Sequence, residues 1–183
     1  MKDLKNKGIG TKAIHGGVIK NKYGALATPI YQTSTFVFKN VEEGAKRFLG
    51  EEEGYIYSRL SNPTLTVAEE KVAILENGEK ALATSSGMGA ISATLWTLLK
   101  AGDHVLADKT LYGCTYAYIS HGLTKFGVEV DFVDMSDLEE VKIKLKDNTK
   151  VIYLETPANP NLKIVDIQKI SDVQASGFTI RDM

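Results

Sequence analysis

The sequence predicts an α/β fold: a mostly parallel sheet with helices on both faces. Three observations predict it. Short apolar runs bounded by turn residues recur at residues 80–84, 104–107, 128–133 and 151–155. Stretches with helical spacing lie between them, and such alternation requires crossover helices between parallel strands. Each strand end is followed by small or polar residues, at 85–89, 108–114 and 155–160. The carboxyl ends of strands are where ligands of such sheets bind, so these three segments are expected to line one crevice.

The elements follow in order. Residues 1–61 form an arm rich in Gly, Thr, Ser and Tyr, with helical periodicity only at 41–49. Its apolar residues Ile30, Tyr31, Phe36, Val37, Phe38, Tyr55, Ile56 and Tyr57 call for burial, so the arm is expected to pack on a partner subunit. Residues 62–183 are expected to form one cofactor-binding domain. Asn62 or Ser61 can cap a helix with Pro63 in its first turn and Leu65, Ala68, Val72 and Leu75 on one face. Asn77-Gly78 stops it. Residues 80–84 read as the opening strand and 90–99 as a helix. A strand at 104–107, a helix at 112–121 ended by Gly122, and an alternating strand at 128–133 come next. Ser136 is placed to cap a helix reaching about Leu145, with Asp137, Glu139 and Glu140 in its early turns. A strand at 151–155 and a helix at 166–173 complete the pattern. Residues 173–183 read as a helix start and then a strand, which leaves the unit unfinished.

Composition excludes several function classes. The chain has 183 residues and a formal net charge of −1, so no broad electrostatic case for nucleic acid exists. No apolar run approaches the ~18 residues of a membrane span, and the N-terminus shows no signal-peptide pattern. The single cysteine, Cys114, cannot form an internal disulfide, and a reducing cytoplasm fits it. His15, His104 and His121 lie far apart, so no metal site is expected.

The chemistry centres on Ala83-Thr-Ser-Ser-Gly-Met-Gly-Ala-Ile91. A glycine turn entering a helix offers free amide groups and the positive end of the helix dipole, which suit a phosphate. Arg59 offers a planar fork of donors for phosphate, with the Tyr57 hydroxyl two residues before it. Tyr112 puts an aromatic ring on a strand-end loop, where it can stack on a flat ligand or simply pack. Glu155 and Asn159 put a carboxylate and an amide on a proline-stiffened loop.

Singly these signals are weak, but their order and spacing resemble the Cys/Met metabolism family of pyridoxal-phosphate enzymes. The matching segments are Thr11-Lys-Ala-Ile-His-Gly-Gly17, Pro29-Ile-Tyr-Gln-Thr-Ser-Thr-Phe36, Tyr57-Ser-Arg-Leu-Ser-Asn-Pro-Thr64, Ser85-Ser-Gly-Met-Gly-Ala90 and Glu155-Thr-Pro-Ala-Asn-Pro160. The resemblance implies a fold-type-I pyridoxal-phosphate transferase domain, incomplete here. It implies that Ser86, Gly87 and Met88 cradle the cofactor phosphate. It implies that Tyr57, Ser58 and Arg59 serve a neighbouring subunit's cofactor in a homo-oligomer, a dimer of dimers in the family. Tyr112 resembles the tyrosine that stacks on the cofactor ring and passes a proton to the leaving sulfur. Glu155 and Asn159 resemble residues under or beside that ring. Tyr112-Gly-Cys114-Thr resembles the methionine γ-lyase branch of the family, which implies that Cys114 acts at the catalytic centre. The implied reaction is γ-elimination from a sulfur amino acid, methionine giving methanethiol, ammonia and 2-oxobutyrate. The cystathionine lyases and synthases and the O-acetylhomoserine sulfhydrylases are the alternatives.

The chain departs from the family at one decisive place. The family's cofactor-linking lysine resembles Ser-x-Thr-Lys, whereas Lys12, Lys125 and Lys150 follow a threonine without that serine. Asp182 falls near the expected ring-nitrogen acid, but the residues around it do not match. The expectation is a truncated or frameshifted chain, inactive and poorly soluble alone. Two rivals stand beside the enzyme reading. One is a nicotinamide dehydrogenase, with Gly87-Met-Gly-Ala-Ile-Ser92 as a near dinucleotide fingerprint and Asp108 as the ribose acid. The other is a non-catalytic fragment that docks its arm on a full-length relative.

Overall fold

The computed structural model describes residues 4, 6–19 and 21–174, and it divides the chain into two compact units, Met1–Ala83 and Thr84–Met183. The expectations for the tail after Gln174, Asp182 among them, fall outside the described residues.

Among its described residues the first unit holds three helices. α1 spans Ile9–His15, where the composition gave no helical signal. α2 spans Val41–Leu49, as its periodicity predicts. Asn40 caps it by accepting the Glu43 amide at 2.8 Å, and Gly50 ends it at φ 73°. Glu43 and Arg47 pair one turn apart at 2.6 Å, with acid before base as the helix dipole favours. α3 spans Pro63–Leu75; of the two candidate caps, Asn62 is used, accepting the Thr64 amide at 2.9 Å. Asn77 takes a left-handed φ of 53° just beyond it.

Residues 80–84 form no strand, which corrects the first strand prediction. A strand needs a neighbour to take its amides, and among the described residues none pairs with this segment. The Ala83 amide instead donates to Glu69 Oε1 at 2.8 Å.

The second unit is an open three-stranded sheet. β1 spans His104–Asp108, β2 Glu129–Val133 and β3 Thr149–Tyr153. Their order is β2-β1-β3, and both pairings are parallel. α4 spans Gly87–Leu98, starting earlier than the apolar pattern indicates because Ser86 already caps Gly89. α5 spans Gly113–Ala117 and runs on through a π turn, Tyr118–Gly122, and a 3-10 turn, Leu123–Phe126. Gly122 therefore does not end this helix: its φ of −83° is right-handed, and the stop passes to Gly127 at φ 78°. α6 spans Leu138–Lys144, capped by Asp137 and not by Ser136. The Ser136 hydroxyl is taken by Asp134, which leaves the Asp137 carboxylate to accept the Glu139 and Glu140 amides. α7 spans Ile167–Gln174, with Asp166 accepting the Lys169 amide at 3.1 Å.

Both sheet faces are covered. Val105, Ala107, Val151 and Tyr153 pack on Leu95 of α4 with Ile119 and Leu123. Leu106, Val133 and Ile152 face the other way, onto Val141 of α6 and Ile170 of α7. That is why β1 is apolar at Val105, Leu106 and Ala107 and buried along its whole length. Each such side chain contributes about 1.5–3 kcal/mol when fully buried.

Candidate active site

The cradle is built at the start of α4. Ser86 sits in extended conformation as its N-cap, and its Oγ accepts the Gly89 amide at 3.0 Å. The hydroxyl keeps its own proton to donate, and the first-turn amides of Gly87 and Met88 have no acceptor inside the helix. The two glycines of this turn differ in the space around them. A Cβ at Gly89 would lie 3.2 Å from Ser86 Oγ and crowd the cap. A Cβ at Gly87 would meet nothing within 4 Å, so the space over the amides is open. These donors fit a phosphate group.

The loops after β1 and β3 meet. The Tyr112 amide donates to Glu155 Oε2 at 2.9 Å, which joins two positions 43 residues apart. The Tyr153 hydroxyl lies 3.3 Å from Glu155 Oε1, so the carboxylate is held from two sides. Burial raises the Tyr153 pKa well above the usual value, and the Glu155 charge adds to it. The buried Thr115 hydroxyl donates to Met88 Sδ at 3.8 Å, which ties α5 to the first turn of α4. Met88, Tyr112, Cys114 and Glu155 are thus assembled within the second unit, with Asn159 exposed on the Glu155 loop.

Tyr112 is half exposed, and its hydroxyl accepts from Cys114 Sγ at 3.5 Å. Cys114 beside it raises the phenol's pKa from its ordinary value of 10.0. Tyr112 is therefore protonated at neutral pH.

Tyr57, Ser58 and Arg59 belong to the first unit. Tyr57 bridges Thr35 in antiparallel fashion, and the exposed Arg59 guanidinium lies 5.5 Å from the Tyr57 ring centre. Ser58 is used inside the arm: its hydroxyl donates to the Thr33 carbonyl and accepts from Asn62 at 2.8 Å.

Sequence reasoning missed Tyr153 and Thr115. Tyr153 is the last residue of β3, and the end of a parallel strand points to the crevice; that was the available signal. The dehydrogenase rival fails on geometry. Asp108 is fully buried and bound by Lys163 Nζ at 3.0 and 3.1 Å, so it offers no carboxylate to a ribose. Among the described residues no group of three metal-binding side chains forms, and no helix is long and apolar enough to cross a membrane.

The fold and site define a doubly wound α/β unit with an anion cradle and an aromatic group at the carboxyl edge of its sheet. Comparison with known proteins sharpens that class. The family model for Cys/Met metabolism PLP-dependent enzymes matches residues 10–179, so the chain belongs to that family of pyridoxal-phosphate enzymes. It is 66% identical over 171 residues to an L-methionine gamma-lyase of Fusobacterium nucleatum, covering 93% of this chain and 43% of that protein. The chain thus spans less than half the length of this relative. Among solved structures, metB from Corynebacterium glutamicum matches with a TM-score of 0.88 and 38% identity, covering 97% of this chain and 45% of that one. A Campylobacter jejuni structure described as an O-acetylhomoserine (thiol)-lyase, which carries a pyridoxyl-lysine monophosphate, matches with a TM-score of 0.88 and 35% identity. It covers 97% of this chain and 45% of that one.

Proposed function

We propose that the chain supplies the phosphate cradle and ring contacts of a pyridoxal-phosphate-dependent carbon–sulfur lyase, with methionine as its substrate. The observation that carries this reading is the Tyr112–Cys114 pair, held beside Glu155 on loops of the unit that also bears the Ser86 cradle. Ser86, Gly87 and Met88 hold the phosphate through a hydroxyl and two amides. Tyr112 would stack on the ring and, as a phenol protonated at neutral pH, would deliver a proton to the departing sulfur. Glu155 and Asn159 would contact the ring with a carboxylate and an amide. When bound, pyridoxal phosphate supplies the electron-accepting ring that the protein itself lacks. The balanced reaction is methionine plus water giving methanethiol, ammonia and 2-oxobutyrate.

The arm, residues 1–61, packs on a second copy in this reading, and Tyr57, Ser58 and Arg59 serve that copy's phosphate in a cytoplasmic homo-oligomer. Its exposed apolar side chains, Leu26 and Val37 among them, support the docking. Lys12, Lys125 and Lys150 lack the expected motif, so the chain alone is expected to bind cofactor without turning over methionine.

The test is a binding series on the purified chain. Pyridoxal phosphate is expected to bind at least about tenfold more tightly than pyridoxal, as a phosphate cradle requires. The reduced pyridoxyl-phosphate adduct of methionine should then bind more tightly than that of O-acetylhomoserine. The opposite preference would move the assignment to a sulfhydrylase, the activity described for the Campylobacter relative. No binding of any of these ligands, with the chain co-purifying on a full-length relative, would leave the non-catalytic fragment.

A further inference from the structure

A partly buried ammonium lies at the carboxyl end of the sheet, and no role in the site has been given to it. Lys163 stands in the loop between β3 and α7. Its Nζ reaches Asp108, the last residue of β1, at 3.0 and 3.1 Å. The same Nζ lies 2.7 Å from Asp134 Oδ1, just past the end of β2. One cation therefore ties the exits of all three strands.

Each tied segment leads to the site. Asp108 Oδ1 also accepts the Thr110 amide at 2.8 Å, which shapes the turn toward Tyr112. The Lys163 carbonyl accepts the Ala158 amide at 2.9 Å, which closes the loop carrying Glu155 and Asn159. Asp134 is further held by Lys109 Nζ at 3.1 Å and by the Ser136 amide and hydroxyl. The lysine contact depresses the Asp134 pKa strongly. Burial opposes the charge on Lys163, but its bonds to Asp134 and Asp108 outweigh it and raise its pKa. Asp134 and Lys163 therefore stay ionised at neutral pH.

We propose that Lys163 is a positioning residue of this site, registering the Tyr112 loop against the Glu155–Asn159 loop by bridging Asp108 and Asp134. The role rests on the reading that those two loops face the cofactor ring. Lys163 does not touch the ring itself. Its reach explains why one residue serves: a long side chain ending in an ammonium can satisfy two carboxylates from different strands, which a neutral side chain cannot.

The test is hydrogen exchange on the whole 183-residue chain, paired with pyridoxal phosphate titration. Removing the lysine alone strands the buried Asp108 carboxylate and can unfold the unit. Lys163→Met is therefore studied beside Asp108→Asn/Lys163→Met, which removes the tether without leaving an unpaired charge. In the double variant the Thr110, Tyr112 and Ala158 amides are expected to exchange about tenfold faster, while Leu106 and Ile152 in the strands change less than about twofold. Pyridoxal phosphate affinity should fall about tenfold in the same variant. Lys163→Arg should restore both, and Lys169→Ala, on the exposed face of α7, should change neither. Uniform acceleration of all amides would reduce Lys163 to a general stabiliser and overturn the proposal. Unchanged exchange at Tyr112, or unchanged cofactor affinity despite a loosened loop, would overturn it as well. If the unaltered chain takes up no pyridoxal phosphate, the functional reading falls, and the exchange pattern alone decides whether Lys163 registers the loops.

Discussion

Val37 in the arm is 94% exposed and Val105 in β1 is 0% exposed, though both stand in short apolar runs. The difference lies in what each unit can fold against. β1 has β2 and β3 on its flanks and helices on both faces, all drawn from residues close by in the chain. Among its described residues the first unit contains three helices and one isolated bridge, and Leu26, Ile30, Val37 and Phe48 stay at its surface. Parallel βα units complete their own core, whereas an arm without a sheet needs another surface.

The comparison breaks most directly in the core. Leu106→Ala or Ile152→Ala should cost about 2–5 kcal/mol in urea unfolding, because both are fully buried where strands and helices meet. A loss below about 1 kcal/mol would mean that the second unit lacks the packed core described here.

Ser86→Ala tests the cradle at a smaller scale. Loss of the cap on Gly89 should cost about 1 kcal/mol and weaken phosphate-ligand binding, with Ser86→Thr retaining most of both. Equal stability and equal binding would remove Ser86 from the cradle.

His104 provides a pH test at the opposite end of the sheet. It is buried between Thr149 Oγ1 at 2.8 Å and Asp131 Oδ2 at 3.3 Å, one from each flanking strand. Burial lowers its pKa and Lys146 adds to that, while Asp131 and Glu129 oppose it. The folded state thus binds its proton at lower pH than the unfolded chain. Stability should be full above the ordinary value of 6.5 and decline as pH falls from there through the folded pKa. Urea midpoints at pH 7.5, 6.5 and 5.5 should fall for the native chain and flatten in His104→Asn. Identical slopes would place the titration elsewhere.

The smallest stability effect is expected in the arm. Val37→Ser should change stability by no more than about 0.5 kcal/mol, since the side chain is already in solvent. It should lower self-association by light scattering, and undiminished association would separate the arm from docking.

Much of this was legible in the chain. The three strands that pair were each marked by a short apolar run, and Asn62 capped its helix as its side-chain chemistry requires. The small-residue turn into α4 was legible because its parts are adjacent in sequence. Residues 80–84 misled because an apolar run reports a wish for burial and says nothing of whether a neighbouring strand exists. Gly122 misled because a glycine is as free to continue a helix as to end one.

The sequence by itself determined the alternation of strands and helices, the glycine turn that enters α4 and the family signature, all of which depend on local spacing. Only the tertiary structure decided which carboxylates are free. Asp108 is sealed beneath Lys163, 55 residues away, and Glu155 meets Tyr112 across 43. The physical reason is that an ion pair or hydrogen bond depends on distance in space, and chain spacing sets that distance only within an element.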